Sequence, residues 1–222
     1  MKTLTFISDT HNQNHKMDKD LPGGDFLFHS GDLTNRGTQK EVFDFLYWFS
    51  NLPYTHKIFC AGNHDWYFES NTTINPKFEE KGVTYLFDRE VEIDGLRIYG
   101  SPWQPRFFDW AFNVDRGDAI AEKWKDIPKG LDVFLCHGPV HGILDYTPDN
   151  RSVGCEELYH KIMQVKPIIM SSGHLHCARG LKEFNDITFI NASSVNEQYE
   201  YANKPIVLDY DEVSKKWDYI SI

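Results

Sequence analysis

The segment Met1-Lys2-Thr3-Leu4-Thr5-Phe6-Ile7-Ser8-Asp9-Thr10-His11 sets the reading of the chain. Leu4–Ile7 reads as a first strand that stops at a carboxylate and an imidazole. The i, i+2 spacing puts Asp9 and His11 on the same side of an extended segment. The start is too short and too alternating for a signal peptide, so we expect a cytoplasmic protein.

The same pattern recurs along the chain. Phe26–Phe28 leads into Gly31-Asp32-Leu33-Thr34-Asn35-Arg36-Gly37, and Ile58–Cys60 leads into Gly62-Asn63-His64-Asp65. Val133–Cys136 ends in His137-Gly138, and Ile168–Met170 runs into Gly173-His174-Leu175-His176. Strand ends in open α/β sheets converge on one edge, where ligand sites form. Glycine lets the backbone turn and approach closely there. A lone Asp-x-His is usually a turn, Gly-Asp after a strand is common, and a single Gly-His-x-His is weak. Gly-Asn-His-Asp is more specific, and structure alone does not explain all five segments at strand ends in one order.

Further β-type runs are Val83–Leu86, Leu96–Tyr99, Thr188–Ile190 and Ile206–Leu208. Val42, Phe45, Leu46, Phe49 and Leu52 fall at helical spacing behind a capping box of Thr38 and Glu41. Other helices are expected over Glu156 to Val165, with Pro167 beyond the end, and from Asp118 to Lys125. Helices between strands, then mostly strands after Ile187, predict a layered α/β fold. With 222 residues, no repeat and no linker, we expect one domain over residues 1–222.

The formal charge of −10 repels polyanions, which argues against an extended nucleic-acid partner and leaves small phosphate esters. No apolar run is long enough to span a bilayer, so no membrane partner is expected. Cys60, Cys136, Cys155 and Cys177 form no Cys-x-x-Cys pair and read as reduced, mostly buried thiols. The sequence leaves the oligomeric state open.

Seven side chains in these segments are candidate metal ligands: Asp9, His11, Asp32, Asn63, His137, His174 and His176. If Asp32 bridges, one ion takes Asp9, His11, Asp32 and His176, and the other takes Asp32, Asn63, His137 and His174. Oxygen and imidazole donors without thiolate suit Mn, Fe or Zn, whereas Ca and Mg prefer oxygen.

Together the five segments resemble the calcineurin-like metallophosphoesterase superfamily, with its Asp-x-His, Gly-Asp, Gly-Asn-His-[Asp/Glu], lone His and Gly-His-x-His. Leu52-Pro53-Tyr54, Tyr99-Gly100-Ser101-Pro102-Trp103-Gln104-Pro105, Trp110-Ala111-Phe112-Asn113 and Ile190-Asn191-Ala192-Ser193 are similar to the small brain-type, class III cyclic-nucleotide phosphodiesterase-like members and their microbial relatives. The resemblance implies a four-layer αββα sandwich, two mixed β-sheets flanked by helices. It also implies two divalent ions, Mn2+ first with Fe, Zn, Co or Ni admissible, and hydrolysis of phosphodiesters, cyclic nucleotides among them. Asn35 stands where protein Ser/Thr phosphatases carry Asp, so a carboxylate partner for the catalytic histidine is missing, whereas both His174 and His176 are kept.

His64, beside Asn63, is the candidate general acid for the leaving oxygen after attack by a metal-bridging hydroxide. Asp65 is assigned to orienting the loop or the ring, or else to capping the next helix, and Arg36 to a phosphate oxygen, or else to a solvated loop. Trp103, Arg106 and Phe107, with Phe108, form an aromatic-basic cluster that could stack on a base, with core packing as the plainer use of the aromatics. His141 is a further candidate for the pocket. The competing functions are a phosphomonoesterase on nucleotides or phosphoproteins, and a non-catalytic, metal-stabilised binding module.

Overall fold

Strand β1 (Lys2–Ile7) buries both of its faces: Leu4 and Phe6 enter one apolar cluster and Ile7 enters another. That two-sided burial is what a strand inside a layered sheet requires, because successive side chains alternate between faces. The computed structural model describes residues 1–221. After β1 come β2 (Gly24–Ser30), α1 (Gln39–Ser50), β3 (Tyr54–Cys60), the short α2 (Trp66–Glu69) and α3 (Pro76–Glu79), and β4 (Val83–Tyr85). The middle holds β5 (Arg89–Ile93), β6 (Leu96–Ser101), β7 (Gln104–Pro105), β8 (Asn113–Val114), α4 (Asp118–Trp124) and β9 (Val133–Cys136). The last part holds α5 (Glu156–Val165), β10 (Ile169–Ser172), β11 (Gly180–Phe184), β12 (Ile187–Asn191), β13 (Ile206–Asp211) and β14 (Lys216–Ser221).

The strands form two six-stranded sheets and one small pair. The first sheet runs β14-β13-β1-β2-β3-β4, with β1 to β4 parallel and β13 and β14 joined antiparallel. The second runs β11-β12-β10-β9-β6-β5, with its four inner strands parallel and both edges antiparallel. Strands β7 and β8 pair with each other.

Three apolar clusters make the layers. Between the sheets, Leu4, Phe6, Phe26, Phe28 and Ile58 of the first meet Ile98, Val133, Leu135, Ile169 and Ile190 of the second. Outside the first sheet, Ile7, Leu27 and Phe59 pack under Val42, Phe45, Leu46 and Phe49 of α1. Outside the second, Phe134, Met170 and Phe189 pack under Ile120 and Trp124 of α4 and Leu158 and Ile162 of α5. Helix, sheet, sheet and helix are the expected four layers.

The helix signals act as read. Thr38 Oγ1 accepts from Glu41 N at 3.3 Å while Thr38 N donates to Glu41 Oε2 at 2.9 Å, which closes the capping box on α1. At the end of α5, Lys166 is left-handed with φ 49 and donates its N–H to Ile162 O at 2.8 Å. Five strands not singled out from the sequence are β5, β11 and β14, edges of the large sheets, and the short pair β7 and β8. Among the described residues, no helix is long and apolar enough to cross a membrane.

Candidate metal centre

Strands β1, β2 and β3 run parallel, so Asp9 and His11, Asp32, and Asn63 and His64 leave the same edge of the first sheet. Strands β9 and β10 bring His137, His174 and His176 to the matching edge of the second. The edges are tied at the site: Ser30 Oγ lies 2.7 Å from Ser171 Oγ, and His174 N donates to Asp9 Oδ1 at 3.0 Å. Asp9, His11, Asp32 and His174 all have left-handed backbones, with φ of 51, 41, 56 and 69. Such strain in non-glycine residues costs about 1–3 kcal/mol each and persists where surrounding structure imposes it. The closeness of the loops also excludes a side chain at position 173, since a Cβ on Gly173 would overlap Asp9 Oδ2 and Ser8 Oγ.

Three groups of side chains could each hold a metal ion: Asp9, His11 and His176; His11, Asp32 and His64; and Asp32, His137 and His174. Asp32 stands at the centre, its Oδ2 lying 3.1 Å from His137 Nε2, 3.7 Å from His11 Nε2 and 4.0 Å from His64 Nε2. Asp9 Oδ1 lies 3.3 Å from His176 Nε2, and Asn63 Oδ1 lies 3.1 Å from His137 Nε2. All seven candidate ligands therefore meet in one place. Each outer group of three takes residues from both sheets.

Four of the imidazoles are held in the same way. Nδ1 of His11, His64, His137 and His176 faces the carbonyl oxygens of Thr34, Asn35, Ser30 and Asn196, at 3.3, 2.7, 2.9 and 3.0 Å. A carbonyl only accepts, so each Nδ1 carries a proton and each ring turns Nε2 inward. Those Nε2 atoms face carboxylate oxygens and one another, with His11 Nε2 3.4 Å from His176 Nε2. Such an arrangement suits a cation or shared protons between the rings.

In the metal-free protein protons take that place. Burial lowers the His137 pKa, but the adjacent Asp32 outweighs it and raises it to about 9. Burial likewise opposes a proton on His176, and the bond to Asp9 raises its pKa nonetheless. Burial pushes His11 and His174 down to about 4, with Asp32 and Asp9 only partly offsetting it. Burial would raise both carboxyls, but His176 holds Asp9, and His137 holds Asp32, below the usual range. Buried carboxylates and inward imidazole lone pairs make a donor set that fits divalent cations.

Asp65 is fully buried and accepts from Leu33 N, Thr34 N, Thr34 Oγ1 and Gly62 N at 2.8–3.2 Å. It thus orders the loops that carry Asp32 and Asn63. It precedes α2 without a side-chain capping bond, and the His64 ring is held by Asn35 instead. Burial and the nearby Asp32 push its carboxyl up to about 6.

A cleft of about 900 Å³ opens on Asp32, Asn63, His64, His174 and His176, and it includes Arg106, Phe107 and His141. Phe107 is 53% exposed, with its ring 6.0 Å from that of His174. Arg106 pairs with Asp115 at 2.6 Å, and His141 Nδ1 lies 2.9 Å from Ser152 Oγ. Two of the sequence candidates fall elsewhere. Trp103 packs against Phe87 and Phe112 and donates to Asp88 Oδ2 at 2.6 Å, so its aromatic surface serves the core. Arg36 is exposed and does not line the cleft. Sequence reasoning missed Trp110, whose ring stacks on His64 at 4.3 Å, and Tyr199, whose ring lies 4.7 Å from that of His11. Arg116 and Arg151, on the cleft wall, were missed too. These sit on loops without periodicity, and only the motif-like Trp110-Ala111-Phe112-Asn113 offered a signal.

Two helix-flanked mixed sheets with histidine–aspartate groups at their joined edges are the build of a metallophosphoesterase. The model of the calcineurin-like phosphoesterase family matches residues 2–178, and the chain belongs to that family. It is 39% identical over 227 residues to human Metallophosphoesterase domain-containing protein 1, covering 91% of this chain and 69% of the relative. It is 37% identical over 222 residues to a UPF0046 protein of Caenorhabditis elegans, covering 91% and 79%. Among solved structures, TT1561 of Thermus thermophilus shares the fold with a TM-score of 0.61 at 14% identity, covering 98% of this chain and 97% of that one. Family membership and the histidine–aspartate groups support a phosphoester hydrolase that uses divalent metal ions.

Proposed function

We propose that the protein hydrolyses small phosphodiesters, cyclic nucleotides among them, with two divalent ions, Mn2+ first, in the Asp9–His176 site. In this reading Asp9, His11, Asp32 and His176 hold one ion, and Asp32, Asn63, His137 and His174 hold the other. The observation that carries it is the shared carboxylate of Asp32, central to the groups of side chains and lying beside His64 at the floor of the cleft.

When bound, the ions would supply Lewis acidity, drawing charge from the phosphoryl oxygens and generating a nucleophile from water near neutral pH. The chain's own residues do the rest. His64, tied through Nδ1 to Asn35 O, offers Nε2 to the leaving oxygen and donates its proton there. Asp65 keeps the Asp32 and Asn63 loops in register. Phe107 gives the cleft an apolar surface for one ester arm, and the cleft has room for the second.

A phosphomonoesterase is the second reading, favoured by Arg106, Arg116 and Arg151, which would suit a terminal dianion. Stripping the protein of metal and assaying bis(p-nitrophenyl) phosphate beside p-nitrophenyl phosphate tests the choice. Preferential diester cleavage restored by Mn2+ is expected; faster monoester cleavage gives the second reading, and no turnover with Mn, Fe, Zn, Co or Ni leaves a binding module. Four free cysteines accord with a cytoplasmic location, and the charge of −10 accords with a small substrate rather than extended nucleic acid.

A further inference from the structure

We infer that Trp110 is a positioning residue for His64, holding its imidazole in the orientation that delivers a proton to the leaving oxygen. The inference rests on the reading of His64 as the general acid. Asn35, at the sequence position where the resemblance to protein phosphatases implies a carboxylate, supplies its backbone carbonyl to Nδ1 at 2.7 Å. One in-plane hydrogen bond fixes the tautomer but leaves the ring free to tilt about it. Trp110 supplies the missing constraint: the rings are stacked, with centroids 4.3 Å apart and planes 30° apart. His11 adds an edge contact at 4.7 Å.

The placement of Trp110 is built into the loop that carries it. Ala111 N donates to Asn63 O at 3.2 Å, so the residue after Trp110 is pinned to the residue before His64. Phe112 N donates to Glu69 Oε1 at 3.0 Å, and Ala111 and Phe112 are buried in the core beside α1. Trp110 lines the cleft instead. Trp48, Trp103, Trp124 and Trp217 each donate the indole N–H to a side-chain oxygen, whereas Trp110, like Trp66, donates to none among the described residues. Its contact with His64 is therefore not a by-product of a polar anchor.

In the step served, the bond from phosphorus to the leaving oxygen breaks as the bond from the attacking water oxygen forms. The proton on His64 Nε2 passes to the leaving oxygen, the surplus proton of water passes to solvent, and the imidazole is reprotonated from solvent. Diester and water become monoester and alcohol. A p-nitrophenolate leaves without a proton, whereas an alkoxide or an unsubstituted phenolate needs one.

The test compares the wild type with Trp110→Leu and Trp110→Phe on bis(p-nitrophenyl) phosphate and on methyl phenyl phosphate, in the Mn-loaded protein. Misplacing a catalytic group by about 1 Å costs roughly 10²-fold. Trp110→Leu should lower kcat on the poor leaving group about 10- to 100-fold and on the p-nitrophenyl diester less than about threefold, with KM little changed and Trp110→Phe restoring most of the loss. Equal losses on both substrates, or a change confined to KM, overturn the inference. A second readout needs no turnover: in the metal-free protein the carbon-bound ring protons of His64 should be shifted upfield by the indole. Trp110→Leu should abolish that shift and leave the other site imidazoles in place. An unshifted His64 overturns the inference directly, while a wild type inactive on every diester overturns the functional reading alone.

Discussion

The carbonyl oxygen of Asn35 accepts a 2.7 Å hydrogen bond from Nδ1 of His64, so a backbone atom orients the ring. The side chain of Asn35 has no part in that bond. Asn35→Ala should therefore keep kcat within about threefold, whereas His64→Gln should lower it about 10²- to 10⁴-fold on substrates with poor leaving groups. Metal content by elemental analysis should match the wild type in both variants. Loss of metal from His64→Gln would make that histidine a ligand rather than an acid.

Asp32 stands in two of the three groups that could hold metal, so its removal should empty more than one position. Asp32→Asn is expected to bind at most one ion per chain, with activity down at least about 10³-fold. Two tightly bound ions in the variant would rule out a shared carboxylate.

Metal uptake should release protons. With a pKa of about 9, His137 carries a proton at pH 7 in the metal-free protein, and a cation must displace it. Protons compete below that pKa, so affinity should rise from pH 7 towards pH 9. Calorimetric titrations with Mn2+ in buffers of different ionisation enthalpy should show release of about one proton or more. Heats independent of the buffer would contradict the protonated state.

Gly173→Ala places a methyl group against Asp9 Oδ2 and Ser8 Oγ. Overpacking of this kind costs about 1–3 kcal/mol, and it should also weaken metal binding through Asp9. Gly95, whose added Cβ would meet nothing within 4 Å, is the control: Gly95→Ala should carry only the strain of its φ of +78 and leave metal content unchanged. Urea unfolding with and without Mn2+ separates the two effects.

The inner strands were legible because burial on both faces makes them short apolar runs, as at Leu4–Ile7 and Val133–Cys136. The candidate ligands were legible for a related reason, since Asp32 or His174 interrupts such a run where only a used polar side chain belongs. Edge strands β5 and β14 hid behind their charges: Arg89-Glu90-Val91-Glu92-Ile93 and Lys216-Trp217-Asp218-Tyr219 alternate polar and apolar residues, which suits an edge that must not recruit another strand. The contacts of Trp110 and Tyr199 could not be read, because their partners are His64 and His11, remote in sequence, and no periodicity marks a loop; only the motif-like run around Trp110 gave a hint.

The origin of each outer group of ligand candidates has a mechanical consequence. One joins Asp9 and His11 of the first sheet to His176 of the second, and the other joins Asp32 of the first to His137 and His174 of the second. An ion held in either position would be a rivet through the seam between the sheets. Sliding one sheet past the other would have to break both, so removing metal should loosen the two halves of the sandwich against each other as well as silence the chemistry.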